Sequence, residues 1–374
     1  MNMRLVLIVL ALCACRSRDK DTSPKGPVVG LVTDVGGRGD QSFNDSALRG
    51  LEAWAANMKS VDGKYVALSA SERAALVPPE LNVAPLGIKP VVVQSKAQED
   101  YQPNLQLIVD FGADLIVGVG FMLENSVEAV AKENPQSKFL LIDSPVMDAK
   151  GTLAPLPNVR TVVFKEEEGS FLVGALAGLV ARGKVGFVGG MEIPLIKKFE
   201  AGFRAGVRTT NPGAEVLIQY TGSFDNVAHG KQAAQDLVAK GCEVIFHAAG
   251  SDGNGVIQAV KEARAAGSNV FVIGVDSDQS HLAPDAVLTS MVKRVDYAVW
   301  LSANDLKNGT FGAGDSAMGL KEGGVTYAPV RVDVPEKAAM LAHVEALRAK
   351  VVAGQVKVPS NTTELERFKP PSLE

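Results

Sequence analysis

Short apolar runs alternate with helix-length amphipathic stretches along most of the chain, and this alternation constrains the fold more than any other feature. Ten runs rich in Val and Ile predict strands: VVGLVTD, PVVVQSK, ADLIVGVG, KFLLID, VRTVVF, KVGFVGG, EVLIQY, CEVIFHAAG, VFVIGVD and VLTSMVK. Continuous apolar runs are typical of strands buried on both faces, and strand-helix alternation predicts parallel sheets with right-handed crossovers. A chain of 374 residues has room for two such units. We therefore expect an α/β protein made of two doubly wound parallel-sheet lobes.

The first residues carry the pattern of an export signal. Arg4 is followed by the apolar run LVLIVLALCA and then by Cys15. A membrane span needs about 20 apolar residues, so the run predicts a signal peptide over residues 1–14. The tetrapeptide LCAC resembles a bacterial lipobox, which predicts that Cys15 is lipidated and that residues 15–27 tether the protein to a membrane of the bacterial cell envelope. An ordinary secretory signal with a chance cysteine is the alternative.

The remaining chain is expected to divide between the lobes. The predicted divisions are residues 28–147 plus 277–310 for the N-terminal lobe, 148–276 plus 311–360 for the C-terminal lobe, and 361–374 for a polar, frayed tail. The Pro-rich segment Val61 to Pro90 is too long for a structureless connection, which predicts an excursion with a helix of its own. The run FLVGALAGLV predicts a buried core helix rather than a membrane span.

Composition and motifs exclude several classes of function. The net charge is −4, so the chain lacks the excess of basic residues that is typical of a nucleic-acid binder. The sequence contains no G-x-S-x-G, H-E-x-x-H or G-x-x-x-x-G-K-[ST] motif, and its four histidines have no metal-ligand spacing. The run from Asp276 begins like a calcium loop but has His281 and Val287 where Gly and Glu are required. With Cys13 cleaved and Cys15 acylated, Cys242 has no partner for a disulfide. We expect neither an enzyme nor a metal or cofactor site.

Polar or glycine-rich clusters follow five of the predicted strands, at Asp34, Asp143, Gly250, Asp276 and Lys293. Ligands in doubly wound sheets bind beyond the carboxyl ends of the strands. If the two lobes face one another, these clusters meet in a single cleft.

The stretch LVTDVGGRGDQSFNDSALRGLEAW is the most informative of these clusters. It places a Gly-rich loop after Asp34 and then Phe43 at the start of a helix. A helix N-terminus offers amide donors, and a Phe ring beside it offers a flat stacking face. In the alternative interpretation, Ser42 caps the helix and Phe43 enters the core.

Several segments resemble the basic membrane lipoprotein (BMP) family. They are VTDVGGRGDQSFNDSA, QEDYQPNLQLIVDFGADLIVGVGF, FKEEEGSFLVGALAG, GGMEIPLIKKFEAGFRAG, HAAGSDGNGV, GVDSDQ and TSMVKRVD, and they follow one another in the family's order. The resemblance implies a type I periplasmic binding protein fold and the function of a purine nucleoside-binding lipoprotein of an ABC transporter. The Pro-rich segment is an insertion relative to the family pattern.

The resemblance also implies roles for individual residues. Asp34 matches the acidic residue that contacts the base, Phe43 matches the aromatic residue that stacks on it, and Asp143 is expected to add a polar contact. For a second stacking aromatic, Phe246 is the first choice and Phe199 the second, while Phe224 also lies near a strand end.

Three further positions, Gly250, Asp276 and Lys293, match residues that hold the ribose. A carboxylate can accept from both ribose hydroxyls, and a Lys and a Gly backbone amide supply donors. The alternative for Asp276 and Lys293 is a structural ion pair at a hinge.

The expected function is therefore capture of purine nucleosides by lobe closure, without catalysis, by a monomer that delivers its ligand to ABC transporter permease subunits. Three alternatives remain open. A sugar or autoinducer receptor would share the fold, and a surface adhesin or antigen would use an exposed Arg38-Gly39-Asp40 and the inserted segment. A nucleoside hydrolase would need a cluster of aspartates around calcium, which the sequence near the amino terminus lacks.

Overall fold

The computed structural model describes residues 26–148 and 150–372. The expected signal peptide, Cys15 and residues 15–25 of the expected tether lie outside the described residues. The strands are β1 (Val28–Val32), β2 (Met58–Val61), β3 (Lys64–Ala67), β4 (Lys89–Val93), β5 (Leu115–Val119), β6 (Phe139–Ile142), β7 (Val159–Phe164), β8 (Lys184–Gly189), β9 (Glu215–Tyr220), β10 (Val244–Ala248), β11 (Phe271–Asp276), β12 (Val287–Lys293), β13 (Gly314–Met318) and β14 (Val325–Tyr327).

The helices between these strands are α1 (Phe43–Leu48), α2 (Ala70–Leu76), α3 (Tyr101–Asp110), α4 (Glu124–Glu133), α5 (Glu166–Val180), α6 (Pro194–Thr210), α7 (Val227–Ala239), α8 (Asp252–Ala265), α9 (Val295–Asn308), α10 (Lys337–Val352) and α11 (Thr362–Arg367). The α1 helix continues as a π-helical segment over Arg49–Ala55. Among the residues that the structure describes, no helix is both long enough and apolar enough to cross a bilayer.

Two six-stranded sheets form the framework. The first has the order β13-β7-β6-β5-β1-β4 and is parallel throughout. The second has the order β14-β12-β11-β10-β8-β9 and is parallel except for β14, which runs antiparallel to β12. The central strands β5, β10 and β11 are buried along their whole length because helices cover both faces. All ten predicted strands are present, so the expected α/β class is confirmed.

Sheet membership differs from the expected lobe boundaries at three strands. β7 and β13 belong to the first sheet, although residues 148–276 and 311–360 were expected in the C-terminal lobe, and β12 belongs to the second sheet. The chain therefore passes between the sheets three times, after β7, after β12 and after β13. An apolar run indicates a strand, but which sheet it joins depends on long-range hydrogen bonding that local pattern does not encode.

The helix at the first crossing, α5, packs closely against α6 of the second lobe. The run FLVGALAGLV lies in α5, which is buried, as predicted, and packs against α6. A Cβ on Gly174 would lie 2.2 Å from the carbonyl oxygen of Phe203, and one on Gly206 would lie 2.1 Å from that of Phe171. Glycine is required at both positions because the two backbones are nearly in contact.

Two peripheral segments complete the chain. The Pro-rich segment starts at the last residue of β2 and contains β3, which pairs with β2, and α2, so the prediction of a helix of its own is confirmed. Arg73 fixes it by donating from Nη1 to the carbonyl oxygen of Ala53, at 2.6 Å, and from Nη2 to that of Val83. The expectation of a frayed tail is wrong for residues 362–367, which form α11. Leu365 of this helix is buried, and its carbonyl accepts from the guanidinium of Arg208 on α6 at 2.9 Å.

Candidate functional site

A cleft enclosing about 580 Å³ lies where the carboxyl ends of strands from the two sheets meet. Its lining combines carboxylates, aromatic rings and backbone from both lobes: Asp34, Gly36, Asp40, Phe43, Asn44, Gly120, Phe121, Asp143, Leu195, Ile196, Phe199, Phe224, Ala248, Ala249, Gly250, Ser251, Val275, Asp276 and Lys293. Seven of the eight residues named from the sequence line this cleft, and Phe246 does not.

Asp34 presents one carboxylate oxygen to the cleft. Its Oδ1 accepts from the backbone N–H of Gly36, at 2.8 Å, and from the side-chain amide of Asn44, at 2.7 Å. Its Oδ2 has no hydrogen-bond partner among the described residues and lies 3.3 Å from the place a Cβ on Gly120 would occupy. Burial raises the pKa of Asp34 to about 6. The carboxylate is thus held in place by one oxygen while the other faces the cleft.

Phe43 begins α1 and forms part of the same wall. Its ring is half-buried, and its Cε1 atom would lie 3.2 Å from a Cβ on Gly120, a residue with φ +108°. Glycine at position 120 therefore keeps the space beside the ring open. A flat, partly exposed ring next to a carboxylate is suited to stacking on a planar heterocycle.

The start of α1 is capped by Asp40 rather than by Ser42. The carboxylate of Asp40 accepts from the backbone N–H groups of Ser42, Asn44 and Asp45 at 2.7 to 3.0 Å. The Ser42 hydroxyl instead donates to Oδ2 of Asp276, at 2.5 Å, across the cleft. The interpretation in which Ser42 caps the helix is therefore wrong.

The same loop bears on the adhesin alternative. Asp40 is 3% exposed, and the Arg38 guanidinium pairs with Glu52 at 2.7 Å. The tripeptide is thus folded into the loop and does not display an acidic side chain for adhesion.

On the second lobe, Gly250 follows β10 and Asp276 ends the adjacent strand β11. Both residues have left-handed backbone conformations, at φ +54° and φ +64°. Burial raises the pKa of Asp276 to about 7, against the opposing effects of Lys293 and the Ser42 hydroxyl. Non-glycine residues in this backbone region are uncommon and cluster at functional sites. Asp143 of the first lobe also has a left-handed backbone, at φ +70°. It follows β6, and β6 is the third strand of the first sheet, just as β11 is the third strand of the second.

Lys293 ends β12 and joins the two lobes at the base of the cleft. Its ammonium nitrogen lies 2.6 Å from Oδ2 of Asp143 and 3.0 Å from Oε1 of Glu166, with all three side chains almost fully buried. Burial alone would lower the pKa of Lys293, but Asp143, Glu166 and Asp276 together raise it. The ion-pair alternative is therefore corrected in one respect: Lys293 pairs with Asp143 and Glu166 rather than with Asp276.

Aromatic rings surround this ammonium group. It lies 5.2 Å from the ring centroid of Phe43, 5.1 Å from that of Phe164 and 5.6 Å from that of Phe199. These distances are within the range of cation–π attraction. The rings therefore add to the stabilisation that the neighbouring carboxylates give this buried charge.

The first choice for the second aromatic is wrong. Phe246 is fully buried and packs against Phe187, Phe203 and Phe199 beneath the cleft. Side chains alternate between the two faces of a strand, so a residue near the end of β10 can face a helix instead of the ligand space. Phe199 does line the cleft, as does Phe224.

Two residues that contribute to the site, Phe121 and Glu166, were not identified from the sequence. Phe121 follows β5 and lines the cleft, where its ring makes an edge-to-face contact with Phe224 of the other lobe, with centroids 6.3 Å apart. Its place just after a predicted strand is a signal that could have found it. Glu166 is fully buried and also lies 3.1 Å from the ammonium of Lys198. A three-glutamate run at the start of a helix is more typical of a solvated first turn, so no local signal marked Glu166.

The site offers hydrogen-bonding and stacking groups from both lobes. Within residues 26–148 and 150–372, no three or more His, Cys, Asp and Glu side chains are grouped as metal ligands. The buried His247, next to the cleft floor, contacts Oε1 of Gln279 at 3.1 Å, and burial lowers its pKa to about 4. At neutral pH this imidazole is uncharged, and it holds Gln279 in place.

Comparisons with known proteins agree with this architecture. Residues 28–362 match the family described as Bmp, ABC transporter substrate-binding protein PnrA-like. The "CD4+ T-cell-stimulating antigen" of Listeria innocua is 37% identical, covering 91% of this chain and 90% of that protein. The "ABC transporter nucleoside-binding protein BmpA" of Lactococcus lactis is 32% identical, covering 88% of each.

Among solved structures, an ABC transporter solute-binding protein from Aeropyrum pernix superimposes with a TM-score of 0.73 at 29% identity, covering 91% of this chain and 96% of that one. The fold is that of the type I solute-binding proteins. With a match over nearly the whole chain and relatives above 30% identity, the chain belongs to the Bmp family of PnrA-like ABC transporter substrate-binding proteins.

Proposed function

We propose that this protein captures purine nucleosides in the cleft by closure of its lobes and delivers them to the permease of an ABC importer. One observation carries the proposal: a stacking ring, Phe43, lies beside a carboxylate, Asp34, on one wall, while a second buried carboxylate, Asp276, faces them from the other lobe. A planar base and a polyhydroxylated sugar need these two kinds of surface.

The first-lobe wall suits the base. Base-aromatic stacking contributes about 1 to 3 kcal/mol, and Oδ2 of Asp34 is an acceptor for a donor on the base edge. Phe199 and Phe224 provide apolar surface on the opposite side.

The second-lobe wall suits the ribose. Asp276 can accept from two vicinal hydroxyls, and the backbone around Gly250 and the ammonium of Lys293 supply donors. Oδ1 of Asp143 is buried without a hydrogen-bond partner among the described residues. Leaving such an oxygen unsatisfied is costly, so a ligand hydroxyl that donates to it would be stabilised.

The connections between the lobes support the proposed closure. The three crossings after β7, β12 and β13 form the hinge, and contacts such as Phe121 with Phe224 bridge the two rims of the cleft. A ligand held by both walls favours the closed arrangement, which a permease can distinguish from the open one. The name of the Lactococcus lactis relative supports the nucleoside class. We extend the proposal to an envelope lipoprotein anchored through Cys15 and acting as a monomer.

Thermal shift assays with inosine, guanosine, adenosine and free ribose test this function, because a ligand that binds only the folded state raises the melting temperature with its concentration. We expect stabilisation by purine nucleosides and little by ribose, which lacks the ring that Phe43 would cover. Mass spectrometry of small molecules released from the purified protein provides an independent identification. Stabilisation by a free sugar with no response to nucleosides would replace this proposal with the sugar-receptor alternative.

A further inference from the structure

The amino-terminal end of the described chain is fixed at one end of the first lobe. The backbone N–H of Val28 donates to a carboxylate oxygen of Asp114 at 2.8 Å, and the N–H of Asp114 donates back to the carbonyl of Val28. The N–H of Lys89 donates to the carbonyl of Pro27 at 2.9 Å. Residues 27 and 28 are therefore held between the start of β4 and the start of β5.

This end of the lobe lies opposite the cleft. β1 begins at Val28 and ends at Val32, and Asp34 immediately beyond it lines the cleft. In a parallel sheet all strands begin at one edge and end at the other, so the chain enters at the edge farthest from the ligand site.

An apolar pair is exposed beside this entry point. Leu107 is 57% exposed and Phe111 is 55% exposed, whereas Ile108 on the same helix is fully buried. Leu107 and Phe111 are four residues apart at the end of α3, and the N–H of Phe111 donates to the carbonyl of Leu107, so the two share one face. The ammonium of Lys89 lies 5.6 Å from the Phe111 ring. Two apolar side chains beside a lysine are suited to the boundary between acyl chains and lipid headgroups.

We propose that Leu107, Phe111 and Lys89 form a contact surface for the lipid bilayer that holds the anchor, so that the resting protein lies with its cleft facing away from the membrane. The occupant follows from the length of chain that precedes the surface. Ten residues separate Cys15 from Gly26, and they span at most about 36 Å when extended. The anchored chain therefore keeps this end of the first lobe near the bilayer.

The contact does not need high intrinsic affinity. Tethering makes the second binding event intramolecular, which raises the effective concentration of the surface at the bilayer. The same weakness lets the protein leave the surface and turn its cleft rims toward a permease. This inference rests on the anchor in the proposed function and is independent of the ligand.

The test uses the lipidated full-length protein reconstituted into vesicles of phosphatidylethanolamine and phosphatidylglycerol. An environment-sensitive dye is placed on Asp110→Cys, beside the surface, or on Val227→Cys, an exposed site at the start of α7 near the cleft. Cys242 is buried and stays unlabelled. We expect nitroxide lipids to quench the dye at position 110 and to leave the dye at 227 nearly unchanged.

The double variant Leu107→Ser/Phe111→Ser should reduce quenching at position 110 to the level at 227. The matched control, Leu153→Ser/Leu179→Ser, replaces two other exposed leucines and should change nothing. Equal quenching at both positions, or no response to the double variant, would overturn the orientation. Failure of the protein to float with vesicles would overturn the anchor and the orientation together, while nucleoside affinity, measured on the same sample by calorimetry, reports the proposed function separately.

Discussion

The ammonium group of Lys293, at the end of β12 in the second sheet, lies 2.6 Å from the carboxylate of Asp143, which follows β6 in the first sheet. Both side chains are almost completely buried, and Glu166, at the first crossing between the lobes, completes the group. Charge removed from water is tolerated only where it is paired. The pair therefore stabilises the fold only while the two lobes hold these side chains together.

Replacing Lys293 tests this coupling. Lys293→Met should lower the free energy of unfolding by about 3 to 5 kcal/mol, because Asp143 and Glu166 would be left as buried carboxylates without a cation. Urea denaturation provides the measurement. The double variant Lys293→Met/Asp143→Asn should regain part of the loss, and a strictly additive double variant would contradict the pairing.

Glu166 should contribute to stability from behind the cleft. Glu166→Gln keeps the shape of the side chain but removes the charge that Lys293 and Lys198 share, so we expect a loss of about 3 kcal/mol. Glu168→Gln is the matched control on the same helical turn, where the carboxylate is partly exposed. Equal effects of the two substitutions on the urea midpoint would rule out a special role for Glu166.

Phe43 should affect ligand affinity through its ring face. Phe43→Ala is expected to weaken inosine binding by about 1 to 3 kcal/mol through the loss of stacking. Calorimetry measures the change, and Phe111→Ala, at an exposed ring outside the cleft, should bind as the unchanged protein does. Wild-type affinity in Phe43→Ala would remove this ring from the base site.

The raised pKa of Asp276 predicts that the stability of the ligand-free protein depends on pH. Its pKa is about 7 when folded and near 3.8 when unfolded, so between these values the folded state binds more protons. Stability conferred by the protonated form is therefore lost as pH rises, on the order of 1 kcal/mol per pH unit. We expect the melting temperature of the wild type, relative to that of Asp276→Asn, to fall between pH 5 and pH 7. A constant difference across this range would show that Asp276 has an ordinary pKa.

Cys15→Ala should release the protein from membranes. The substitution removes the thiol that lipidation requires, and the rest of the chain should fold as before. Fractionation of cells into membrane and soluble protein measures the outcome, with Cys13→Ala as the control next to it. Membrane retention of Cys15→Ala would contradict the lipoprotein assignment.

The sequence by itself determined the ten strands, the α/β class and the strand ends at which the cleft forms. It did so because continuous Val and Ile runs bury both faces of a strand, and because Asp34, Asp143, Gly250, Asp276 and Lys293 directly follow or end such runs. These properties are local, so they can be read along the chain.

Only the tertiary structure decided which sheet β7, β12 and β13 join, which way Phe246 faces, and which carboxylates pair with Lys293. Sheet membership depends on hydrogen bonds between distant segments, and the direction of a side chain depends on strand register. Lys293 and Asp143 are 150 residues apart in sequence. Their pairing exists because folding buries both charges at one point, where neither can be stable without the other.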